Sequence, residues 1–127
     1  MNAAAAPNKN CSLDWNFYLR DRDLYLRALR FSAKKGVPEA QYNLGWHYYA
    51  GEGVRKNYKT AHKWFKLAAD QGFAYSQYAM SEFYREGLGV RKNARTAGKW
   101  LEKSLQQNCS FAQHYMGHLY SEGVEVR

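Results

Sequence analysis

The chain has 127 residues, with 19 Lys and Arg against 11 Asp and Glu, a net charge of +8 and a pI near 9.5. That length suits one domain with its own core, and 46% hydrophobic and 17% aromatic content with only two prolines excludes a disordered tail. No stretch approaches the ~18 apolar residues of a membrane span. The basic residues are spread along the chain and no RNA- or DNA-binding signature is present, so the charge points to an acidic protein or peptide partner, not to nucleic acid.

The start, MNAAAAPNKN, lacks the long apolar segment of a secretory signal. It reads as cytoplasmic as written, and as periplasmic or secreted if a signal has been removed; residues 1–11 are expected to be disordered or irregular. Cys11 and Cys109 are the only cysteines, too few and too far apart for a zinc knuckle or a CxxC redox pair. They read as two separate thiols, since a disulfide between them would need an oxidising compartment and closely spaced Cα atoms. Each sits in an Asn-Cys-Ser triplet; Asn108 reads as a helix C-terminal residue and Ser110 as the next N-cap.

A short irregular helical segment over residues 12–19 leads to a helix over 21–35, closed by Gly36. Beyond it, GEGVRKNYKTAHKWF from Gly51 and GLGVRKNARTAGKWL from Gly87 share a word, and residues 41–76 and 77–112 agree at 14 aligned positions. The period of 36 residues marks a solenoid of stacked supersecondary units. Within each unit the pattern is helix, glycine turn, helix. The spacing predicts a first helix over Pro38–Ala50 with proline in its first turn, and Gly51 and Gly53 stop it where a tight reversal needs positive φ. Asn57 then caps a second helix with Ala61, Trp64, Phe65 and Ala68 on one face, and Gly72 closes it. The glycine turn lacks the Lys-Ser/Thr ending of a phosphate-binding loop and follows a helix instead of a strand. A last helix over residues 110–122 has no partner helix within the sequence, and self-association through it is one expectation.

With those residues in view, AQYNLGWHYYAGEGVRKNYKTAHKWFKLAADQG resembles the Sel-one-like repeat (SLR) family, relatives of the tetratricopeptide repeats. Ala40, Leu44, Gly45, Tyr48, Gly51, Gly53, Val54, Ala61, Trp64, Ala68, Ala69 and Gly72 match its pattern, and Asn57 stands where aspartate is usual. The second unit departs at Met80, Ser81, Ser104, Leu105 and Asn108. The resemblance implies an all-α, right-handed α-α superhelix over residues 12–127, with partial units at 12–36 and 109–127 and full repeats at 37–72 and 73–108. It implies a non-enzymatic scaffold or adaptor, in some members an immunity protein. The alternative is an envelope-associated hydrolase or penicillin-binding relative, but those cysteine-rich members carry a disulfide in each repeat and the two cysteines here stand in other contexts.

Two surfaces are candidates for partner binding. The first helix of each unit lines the concave side in tetratricopeptide-like solenoids, which would place Tyr42, Asn43, Trp46 and Tyr49, then Glu82 and Arg85, then His114 and His118 along one groove. Tyr42 and Tyr49 also suit packing against the neighbouring repeat. Trp46 is expected to be exposed, because its counterparts Glu82 and His118 are polar, and to act as the anchor, with Glu82, Arg85 and His118 setting polar specificity. The second surface is basic: Arg55, Lys56, Lys63, Lys66, Arg91, Lys92, Arg95 and Lys99. His114 and His118 stand four apart, but two ligands are too few for a structural zinc site. No nucleophile, base and orienting residue group together. No catalytic residue, metal or cofactor is therefore expected.

Overall fold

The computed structural model describes residues 19–107. Among them it holds five helices and no strand: α1 (Arg22–Lys34), α2 (Pro38–Ala50), α3 (Tyr58–Asp70), α4 (Ala74–Glu86) and α5 (Ala94–Gln106), each of 13 residues. Helix α1 starts 36 residues before α3, α3 the same distance before α5, and α2 the same distance before α4. Each helix packs on its neighbours in sequence, which makes the chain an all-α solenoid of antiparallel hairpins. None of the described helices is long and apolar enough to cross a membrane.

The repeated word is a set of instructions for turning and capping. Gly51 and Gly87 take φ of 70° and 72°, and their N–H groups donate to the carbonyls of His47 at 2.9 Å and Phe83 at 2.8 Å. A left-handed residue at this position satisfies a helix-end carbonyl and is inexpensive only for glycine. The chain is then pinned back onto the helix it left, since Asn57 N–H donates to Tyr48 O at 2.9 Å and Asn93 N–H to Tyr84 O at 2.8 Å. The Asn57 and Asn93 side chains accept from the N–H groups of Thr60 and Thr96, both at 3.1 Å, and Asp21 does the same for Leu24 at 3.0 Å. Each such cap contributes about 1 kcal/mol.

Two hydrophobic clusters run through the stack. Tyr25, Leu26, Leu29 and Ala33 of α1 close on Ala40 and Leu44 of α2, with Trp64 packed against them. Phe65 sits between Tyr42 and Phe83, 5.5 Å from each ring centroid, in a second cluster that joins α2, α3 and α4 and has Trp100 at its edge. Trp64 and Trp100 are both half-buried, one hairpin apart. Gly45 leaves room for Phe65 of α3: a Cβ there would lie 2.9 Å from Phe65 Cδ1.

Glutamines clamp successive hairpins at the same interval. Gln41 donates from Nε2 to the Ala33 carbonyl at 3.1 Å and accepts at Oε1 from Gln71 Nε2 at 2.7 Å; Gln77 repeats this with Ala69 at 3.3 Å and Gln107 at 2.7 Å. One side-chain amide thus ties three helices, and the shared Gln41/Gln77 and Gln71/Gln107 positions acquire a physical reason.

Candidate functional site

Helix α2 does not present the groove expected of it. Gln41 through His47 are all buried, including Tyr42 and Asn43. Trp46, expected to stand exposed as an anchor, is 7% exposed and belongs to the α2/α3/α4 cluster, its ring edge-on to His47 at 5.0 Å. The reason is that an inner helix of a stacked solenoid meets neighbours on several sides, and a helix that is apolar or aromatic around most of its circumference is buried around it. Glu82, the residue equivalent to Trp46, is also buried, at 6% exposed. Its carboxylate accepts from Tyr78 Oη at 3.3 Å and pairs with Arg85 at 3.4 Å. Its charge is held by residues of its own helix, as burial requires.

Of the predicted groove, Tyr49 and Arg85 keep partial exposure. Tyr49 packs 5.9 Å from both Tyr58 and Phe83, and desolvation, followed by its neighbours Tyr58, Glu82 and Glu86, raises its pKa. Arg85 is shared between Glu82 and Glu86, the latter at 3.1 Å. His114 and His118, both cysteines, Asn108, Ser110 and the expected last helix lie outside the described residues.

The expected basic surface is exposed. Arg55, Lys56, Lys63, Lys66, Arg91, Lys92, Arg95 and Lys99 are all exposed. They lie on the glycine turns and on the outer helices α3 and α5. Helix α1 belongs to the same layer and adds Arg22, Arg27, Arg30 and Lys34 against Asp23. At the repeat interval, Arg27, Lys63 and Lys99 align across the three outer helices, and Arg20, Lys56 and Lys92 align beside them. This ladder reaches back into α1, beyond the basic face expected of the two full repeats, and the 36-residue interval is the signal that extends it. Four rings of the outer helices have a lysine over them: Lys35 Nζ 5.3 Å from Phe31, Lys56 Nζ 4.9 Å from Tyr58, Lys63 Nζ 5.4 Å from Trp64 and Lys103 Nζ 4.6 Å from Trp100. Such contacts steady an exposed ammonium by about 0.5–1 kcal/mol.

Lys66 is bridged to Asp70 at 2.8 Å, and that hydrogen bond raises its pKa. The remaining ion pairs among the described residues are those of Arg85. A cationic layer of this kind is suited to electrostatic attraction of an acidic surface.

Fold and surface together define a helical-repeat solenoid of the interaction-scaffold class. The Sel1 repeat model matches residues 38–73, 74–109 and 110–127, and the chain belongs to the Sel1 repeat family. Among solved structures it is similar to a Sel1 repeat protein from Oxalobacter formigenes, with 36% identity, a TM-score of 0.75 and 80% of each chain covered. It is also similar to c5321, a protective antigen of uropathogenic Escherichia coli strains displaying an SLR fold. There the identity is 36% and the TM-score 0.73, over 80% of this chain and 22% of that one. No curated protein matches the chain. Sel1 repeat proteins generally mediate protein–protein interactions, and the fold is typically a non-enzymatic scaffold.

Proposed function

We propose that this chain is a non-enzymatic adaptor that holds an acidic partner protein on its outer, cationic layer, and that its narrower role is to inhibit or neutralise an acidic effector in the manner of an immunity protein. The observation that carries this reading is the alignment of Arg27, Lys63 and Lys99 at the repeat interval, with Lys63 and Lys99 exposed and engaged by no carboxylate among the described residues. Charge of one sign spread over a rigid surface speeds encounter with an oppositely charged partner and selects against like-charged ones. The buried Trp46 is not the anchor in this reading, because an indole inside the α2/α3/α4 cluster meets a partner only if its neighbours are displaced.

The test is capture of partners on the immobilised chain from the source cell, followed by affinity measurement for the purified partner. Lys63→Glu with Lys99→Glu should weaken binding by about tenfold or more at low salt and leave the helical circular-dichroism signal unchanged. A captured partner that is not acidic, or that binds the double variant as tightly, refutes the reading.

A further inference from the structure

The first step of the outer layer carries an open cleft whose cationic lining differs from that of the later steps. Between α1 and the glycine turn after α2 lies an open cleft of about 450 Å³ lined by Asp23, Leu26, Arg27, Arg30 and Gly53. Leu26 is buried and forms an apolar floor. Arg27 is exposed and Arg30 half-buried, and among the described residues neither guanidinium is engaged by a carboxylate. Asp23 offsets one of the two charges without bridging either, so the cleft stays cationic.

The equivalent positions one repeat on show what is special here. Lys63 and Lys66 replace the arginines, and Lys66 is already bridged to Asp70 at 2.8 Å. At α1 the position of Asp70 is held by Lys34, so no acid of the helix's last turn competes for Arg30. An arginine presents paired N–H donors in a planar fork that matches a carboxylate, which a lysine does not. One turn beyond Arg27 on the same helix, Phe31 stands 64% exposed with Lys35 above it. An uncommitted arginine pair beside an open aromatic ring is the composition of an interface hot spot.

Resting on the scaffold reading above, we propose that the α1 cleft is a carboxylate pocket: it takes an Asp or Glu side chain of the partner on Arg27 and Arg30 while a neighbouring apolar residue of the same segment covers Phe31. The occupant is therefore an acidic segment interspersed with apolar residues. A protein segment fits better than a nucleic acid, because Asp23, Asp70 and Glu102 punctuate the cationic layer at each outer helix and would repel an unbroken string of phosphates.

The experiment uses the full chain and a labelled synthetic peptide of alternating Glu and Leu, read by fluorescence anisotropy, with the Gln-for-Glu peptide and a labelled oligothymidylate as comparisons. Arg27→Ala with Arg30→Ala should weaken the Glu peptide by about tenfold or more, whereas Lys63→Ala with Lys99→Ala, an equal loss of charge, should weaken it by less than about threefold. Arg27→Lys with Arg30→Lys should fall between wild type and the alanine pair, since charge is kept and the fork is lost. Thermal melts of each variant verify folding. Equal weakening by the two alanine pairs overturns the pocket but leaves the cationic scaffold standing. No weakening by either pair, or no binding of the Glu peptide, overturns both. Tighter binding of oligothymidylate that is lost on removing the arginines overturns the assignment to a protein segment.

Discussion

The contact between Gly45 and Phe65 makes a quantitative test of how the hairpins fit. In the first repeat glycine on α2 meets phenylalanine on α3; at the equivalent positions of the second, Ser81 on α4 corresponds to Leu101 on α5. The smaller inner residue accompanies the larger outer one, as a fixed spacing between helices demands. Gly45→Ala places a Cβ 2.9 Å from Phe65 Cδ1, too close unless the ring shifts. Phe65 is fully buried among Tyr42, Ala61 and Phe83, so shifting it costs roughly 1–3 kcal/mol of overpacking. Replacing a mid-helix glycine by alanine recovers about 1 kcal/mol. The single variant is therefore expected to lose roughly 0–2 kcal/mol. In a Phe65→Leu background, itself roughly 1–2 kcal/mol less stable than wild type, the strain is gone and Gly45→Ala becomes stabilising by up to about 1 kcal/mol. The coupling energy across the cycle is then about 1–3 kcal/mol in favour of the double variant. Urea unfolding followed by circular dichroism measures all four corners. Additivity within about 0.5 kcal/mol, or stabilisation by Gly45→Ala alone, would refute the packing account.

Removing the Asn57 or Asn93 cap by substitution with alanine should cost about 1 kcal/mol each, seen as a lowered melting temperature, and the two losses should be alike because both accept from a threonine N–H at 3.1 Å. Gly89→Ala combines φ of 65° with a Cβ 2.8 Å from the Tyr58 carbonyl carbon, whereas at Gly36 the φ is 96° and no atom stands within 4 Å. The first should therefore destabilise the fold by at least about 1 kcal/mol more than the second, and equal denaturant midpoints would contradict this. His47 is buried, and desolvation lowers its pKa below 6.5 despite its hydrogen bond to the Glu52 carbonyl; Arg30 adds to the lowering. A histidine held neutral in the fold takes up its proton more readily when unfolded. Its contribution is thus complete above pH 6.5 and is lost as pH falls through the depressed folded value. Half-buried His62 shifts the same way. Melting temperature should fall between about pH 7 and pH 5, and less so in His47→Gln, which has no proton to gain.

How much of the molecule could be read beforehand differs between the scaffold and the surface. The turn at Gly51, the Asn57 cap and the bounds of α2 follow from the order of residue types, and the structure places each as expected. Trp46 went the other way: polar counterparts at Glu82 and His118 argued for exposure, yet Glu82 is itself buried against Tyr78 and Arg85, so its polarity was a poor guide to solvent. The cationic ladder is legible in part: Lys56, Lys63, Lys92 and Lys99 belong to the basic face that the two repeats spell out, whereas Arg20 and Arg27 precede any copy of the glycine word that marks those units.

The sequence by itself determined the repeat, the helix ends and the turns, since caps and left-handed glycines act on backbone groups within a few residues and need nothing from the rest of the chain. Only the tertiary structure decided which side of each helix meets water. That outcome depends on partners far away in the chain, such as Gln41 and Gln71 thirty residues apart, and on how hairpins stacked on one another enclose the inner helices and leave the outer ones open. Burial is a property of the assembled stack, and so among the described residues the exposed basic side chains stand on the turns and outer helices, while the aromatic residues of α2 that local pattern favoured for a groove are largely enclosed.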